Sequence, residues 1–92
     1  MIVRLMGQGQ WKIDDGVRDA LNAIDAELDA DVKAGDGTEF ARHLAAMHDL
    51  IRSRGLPVEI EELVPSDALV PPRDISIEEL RELIGEEGLI PG

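Results

Sequence analysis

The two imidazoles of this 92-residue chain, His43 and His48, stand five positions apart in "HLAAMH". On a helix of 3.6 residues per turn that spacing sets them about 140° apart, so they do not form the i, i+4 pair of a zinc helix. They read as helix-border positions on opposite flanks of an apolar stripe, with room for one of them to make a modest pH-sensitive contact. Ser66 and Asp67 would need a distant histidine to complete a hydrolase triad, and no nucleophile-elbow motif accompanies them. A Pro-Ser-Asp turn bonding nearby backbone accounts for them more simply. The acidic run "DADVKAGDGTE" from Asp29 has Ala34 where a calcium loop requires glycine and Phe40 where it requires the bidentate glutamate. It reads as an interhelical loop with its caps. "GQG" at Gly7–Gly9 invites a dinucleotide-binding reading, but position 12 is lysine and a second strand follows where a helix is needed. Carboxylates abound without an isolated pair to act as acid and base. The residues therefore predict no catalytic group, no cofactor and no metal ligand, and the chain is read as not an enzyme.

Charge points the same way. The net charge is -11, and residues 59–92 hold ten acidic and two basic side chains, a net of -8 that leaves -3 for the first 58. Such a field repels phosphate backbones and anionic headgroups, which excludes direct nucleic-acid and membrane binding from the reading. Trp11 and Phe40 are the only aromatics, too few for base stacking. A partner's contact face would be basic; otherwise the acid serves solubility alone. The absence of cysteine excludes disulfides and thiolate metal sites and fits a reducing compartment. The start "MIVRLMGQGQ" has neither a basic leader nor an apolar signal region. A cytoplasmic location is expected, with membrane association only through a partner.

The elements that would position any surface are legible from periodicity. "MIVRLM" and "QWKI" around "GQG" predict a β-hairpin. A three-residue loop pairing Met6 with Gln10, Leu5 with Trp11 and Val3 with Ile13 puts the apolar residues on one face, whereas a two-residue loop mixes them with Gln10 and Lys12. A lone hairpin is marginal in water and needs a cover. The cover is a helix from Asp14 or Asp15 to about Lys33, striped by Val17, Leu21, Ile24, Leu28 and Val32. A second follows from a Thr38 cap over 39–54, striped by Phe40, Leu44, Met47 and Ile51 and closed by Gly55. The core expected from this is Val3, Leu5, Trp11, Val17, Leu21, Ile24, Leu28, Phe40, Leu44, Met47 and Ile51. Met6 and Met47 read as packing rather than as an adaptable groove.

The fold class is thus α+β in one small domain, residues 1–92. A β-hairpin on an antiparallel helical hairpin makes up 1–58, and an acidic proline-rich arm with a short helix makes up 59–92. In the arm, "PVEIEE" alternates briefly as a strand would, with Val58 and Ile60 on one side. Prolines 65, 71 and 72 forbid a continuous helix over 63–75. Ser76 and Glu79 form a capping box that opens a helix to about Ile84, too short to survive undocked and held by Ile77, Leu80 and Ile84. The triplets Leu63-Val64-Pro65, Leu69-Val70-Pro71 and Leu89-Ile90-Pro91 are stiff and apolar where a linker would be polar. Some of these residues finish the core, Leu69 among the first, and others anchor a partner. The candidate partner-binding set is Leu63, Val64, Leu69, Val70, Glu78, Glu82, Glu86, Leu89 and Ile90.

Three stretches, "MIVRLMGQGQW", "ELVPSDALVPPRD" and "IEELRELIGEEGLIPG", resemble the PspA-associated (PspAA) family of actinobacteria and archaea across essentially the whole chain. The resemblance implies a non-enzymatic accessory of phage-shock protein A, a coiled-coil relative of the membrane-remodelling ESCRT-III proteins that responds to envelope stress. It transfers no catalytic residues. The competing expectations are a small metal- or ligand-binding domain, favoured by a deep pocket of histidine and carboxylates, and a homodimer through the hairpin edge or the proline segment.

Overall fold

The computed structural model describes residues 1–59 and 64–84. Strands β1 (Ile2–Leu5) and β2 (Gly9–Lys12) form the expected antiparallel hairpin. The register is Leu5 with Gly9, Arg4 with Gln10 and Val3 with Trp11, so the loop is Met6–Gln8 and not Gly7–Gly9. The cause is a β-turn in which the Gln8 N–H donates to the Leu5 carbonyl at 2.9 Å. Gly7, third in that turn, has φ of 81°, the type II position that only glycine fills without strain. The shift is two residues along the strand. Because side chains alternate with period two, Val3 and Leu5 still face the core and both are fully buried.

Asp14 caps α1 (Asp15–Ala34), its Oδ1 accepting the Val17 N–H at 2.9 Å. Gly35, in the left-handed region at φ 69°, ends it. The cap of α2 (Gly37–Arg54) is Asp36, not Thr38: the Asp36 Oδ1 accepts the Glu39 N–H at 3.1 Å. A carboxylate two positions earlier completes the cap directly after the turn, so the helix starts sooner. Only Gly35 and Asp36 separate the helices, which pack as an antiparallel hairpin. Val17, Leu21, Leu28, Phe40, Leu44, Met47 and Ile51 are buried. Trp11 and Ile24, expected in the core, pack against it half-buried.

The sheet has four strands in the order β3-β2-β1-β4, through β3 (Leu56–Pro57) and β4 (Ala68–Val70). β3 pairs antiparallel with β2, and Val58 adds its N–H to the Gln10 carbonyl at 2.9 Å. β4 runs parallel to β1, with Val3 opposite Ala68 and Leu5 opposite Val70. Ala68, Val70 and Pro71 are buried, so the proline segment does finish the core. Leu69 does not: it points to the other face and is 38% exposed. Beyond the prolines lies α3 (Ile77–Ile84). The expectations for Ile60, Leu63, the Ile84 side chain, Glu86, Leu89 and Ile90 fall outside the described residues.

Candidate interaction surface

The short helix α3 is built to present one face. The Ser76 Oγ accepts the Glu79 N–H at 3.1 Å, and the Glu79 Oε1 accepts the Ser76 N–H at 3.2 Å, the reciprocal capping box read from the sequence. Ile77 and Leu80, 6% and 2% exposed, dock its inner side. Arg81 donates to the Val32 carbonyl of α1 at 2.6 Å and fastens the helix to the end of the helical hairpin. Glu78 and Glu82 then stand in solvent, one turn apart on the same face. Among the described residues neither has an ion-pair partner. Like charges at this spacing destabilise a helix by about 0.2–0.5 kcal/mol. The helix dipole offsets this at Glu78, which lies in the first turn and gains about 0.3–1 kcal/mol there, but it gives no such support to Glu82 one turn further on.

The other candidate anchors distribute unevenly. Leu69 stands on the open face of the sheet, on the strand paired with β1 at Arg4. Val64 is half-buried, and its carbonyl accepts the Gln10 Nε2 amide at 3.0 Å. The same amide donates to Ser66 Oγ at 2.7 Å, while the Asp67 carboxylate accepts the Ile2 N–H at 2.7 Å. Ser66 and Asp67 thus bond the hairpin more than 50 residues away, a stitch across the sheet and not a local turn. Val70 is fully buried and has no surface to offer a partner. Its place in the binding set is corrected to the core, because alternation along β4 sends Ala68 and Val70 inward and Leu69 out. On the far edge, Leu56 is 68% exposed.

The histidines are occupied. His43 Nδ1 lies 2.6 Å from the Asp31 carboxylate and Nε2 lies 2.7 Å from Glu27, both on α1. Arg42 pairs with Glu39 beside them, and this hydrogen bond holds the Glu39 carboxyl below its usual value. The cluster clamps the two helices together. Among the described residues no group of three or more His, Cys, Asp or Glu is arranged to hold a metal ion. His48, expected at the border of the stripe, is fully buried. The cause is long-range: its Nε2 donates to the Pro71 carbonyl at 2.8 Å, and the proline segment closes over it. Burial lowers its pKa, against the raising effect of the Pro71 bond. A ring with no solvent access does not serve an external substrate.

The surface that remains is an acidic helix face and scattered exposed leucines. The whole chain, residues 1–92, matches the family model described as PspAA: PspA-Associated protein. Neither a curated protein nor a solved structure gives a match.

Proposed function

The chain belongs to the PspA-associated protein family, and on that premise we propose that it acts by binding, not by catalysis, with an acidic strip directed at a basic stretch of PspA. The family itself carries the coarser statement that the protein is a PspA-related accessory. The finer reading is supported chiefly by α3. It is docked by Ile77 and Leu80 and pinned by Arg81, and it holds Glu78 and Glu82 in water with no ion-pair partner among the described residues. A rigid, preorganised acidic face speeds encounter and fixes orientation more than it adds raw affinity. Leu69 supplies an apolar contact that needs no rearrangement of the core. No helix among the described residues is long and apolar enough to cross a membrane. In this reading the protein works in the cytoplasm and reaches the membrane through PspA, as part of the envelope-stress response. Glu86, Leu89 and Ile90, which lie outside the described residues, belong to the same candidate set by sequence.

The test is affinity capture from the native organism followed by mass spectrometry, with the wild type and the double variant Glu78→Lys/Glu82→Lys as baits. Recovery of PspA by the wild type and its depletion with the variant are expected. Capture of PspA equally by both baits removes the acidic strip from the reading, and capture of no PspA removes the reading itself.

A further inference from the structure

α2 carries one buried polar group that the binding surface does not use. His48 is 0% exposed, and its Nε2 sits 2.8 Å from the Pro71 carbonyl. A carbonyl only accepts, so Nε2 bears the proton. Nδ1 is then the bare nitrogen of a neutral ring, and it has no hydrogen-bond partner. Buried polar atoms are seldom left this way, because each one unmet costs stability. Protonating Nδ1 would place a full charge with no acceptor inside a closed site, which is more costly still.

The position of this bond gives it leverage. Pro71 directly follows β4 and is itself buried, so His48 ties α2 to the segment that joins β4 to α3. The charged groups that face the ring are Asp49 and Arg52 from its own helix, and Arg73 from the segment after the prolines. Arg73 pairs with Asp49 at 3.2 Å, a second tie across the same joint. Two cations against one carboxylate do not favour an imidazolium.

We propose that His48 is an acid-sensitive latch: when neutral it fastens the β4–α3 arm to α2 through Pro71, and when protonated it releases that arm. The direction follows from linkage. Burial lowers the imidazole pKa in the closed arm; the Pro71 bond raises it, and Arg73 lowers it again. The closed state therefore binds fewer protons than the open one. Closure is fully favoured above the ordinary value of 6.5 and weakens as pH falls through it toward the lower value of the closed arm. The latch does not depend on which partner the arm meets.

Amide exchange by NMR on the full chain, corrected for intrinsic chemistry, tests it at pH 7.5 and 5.5. The Met6 N–H donates to the Val70 carbonyl and reports the arm; the Leu28 N–H, inside α1, reports the helical hairpin. On acidification, protection at Met6 should fall about three- to tenfold relative to Leu28, the ceiling being set by one pH unit below the ordinary imidazole value. His48→Gln keeps a side-chain N–H for Pro71 without titrating, and it should abolish that difference. A fall of equal size in His48→Gln, or an equal fall at Met6 and Leu28 in the wild type, overturns the proposal. If His48→Gln does not fold, the wild type decides alone. Protonation of the His48 ring and loss of Met6 protection must then share one midpoint, and separate midpoints refute the latch.

Discussion

Replacing Gly55 by alanine tests the packing at the joint between α2 and the sheet. The backbone there is ordinary, with φ of -83° and ψ of 162°, so alanine fits the dihedrals. Were there room, the stiffer unfolded chain would add about 0.4–1 kcal/mol of stability. There is no room. A Cβ at Gly55 would meet the Ile51 carbonyl oxygen at 2.6 Å, Ile13 Cδ1 at 2.9 Å and Trp11 Cβ at 3.0 Å. The nearest neighbour is backbone, and that carbonyl already accepts the Gly55 N–H at 2.8 Å, so it cannot retreat without loosening the helix end. Overpacking of this kind costs about 1–3 kcal/mol. A net loss of about 2 kcal/mol lowers the midpoint by about 8–16 °C in a domain of this size. The assay is thermal and urea unfolding followed by circular dichroism and Trp11 fluorescence. Gly37→Ala is the control, because a Cβ there meets no heavy atom within 4 Å, and it should be neutral or stabilising by up to about 1 kcal/mol. Equal stability of Gly55→Ala and wild type would refute the close approach of α2 to β2.

Leu28→Ala empties a position that is 2% exposed at the centre of the helical stripe and should cost about 2–5 kcal/mol in urea denaturation. Val70→Ser and Leu69→Ser should separate by calorimetry. Val70 is fully buried, and its serine should destabilise by about 2–4 kcal/mol; the serine at Leu69, 38% exposed, should stay within about 0.5 kcal/mol of wild type. Sedimentation over a concentration range should return a monomer, because the self-repulsion of a -11 chain opposes pairing; a concentration-dependent dimer would contradict that.

The sequence reading succeeded where a local signal decided the structure. The 3.6-residue stripes of α1 and α2, the Ser76–Glu79 capping box and the alternation of β1 all rest on neighbours within a turn or a strand. The hairpin loop lies one residue earlier than alternation suggests, and the pairing slips by two, because alternation fixes which face is buried but not where the turn closes; Gly7 in a type II position settles that. Thr38 and Asp36 both suit a cap, and the tight turn at Gly35 selects the earlier one. β4 was not legible as a strand: three residues between prolines show no periodicity, and their partner β1 lies more than 60 positions away. The same distance hid the exposure of Leu69 and the burial of His48, both of which depend on where Pro71 and β4 settle. The acidic face of α3 was legible as spacing. Its orientation was set by Ile77, Leu80 and Arg81, and only the last of these contacts had no signal in the sequence.

The central claim is that this PspA-associated protein binds PspA through the acidic face of α3. Titration of the purified full chain against purified PspA by fluorescence anisotropy, at low and at physiological salt, tests it most directly. A saturable complex should weaken as salt rises, and Glu78→Lys/Glu82→Lys should weaken it by about tenfold or more while leaving the domain folded. A complex of equal affinity in both salts and in the variant, or no complex at all, would contradict the account.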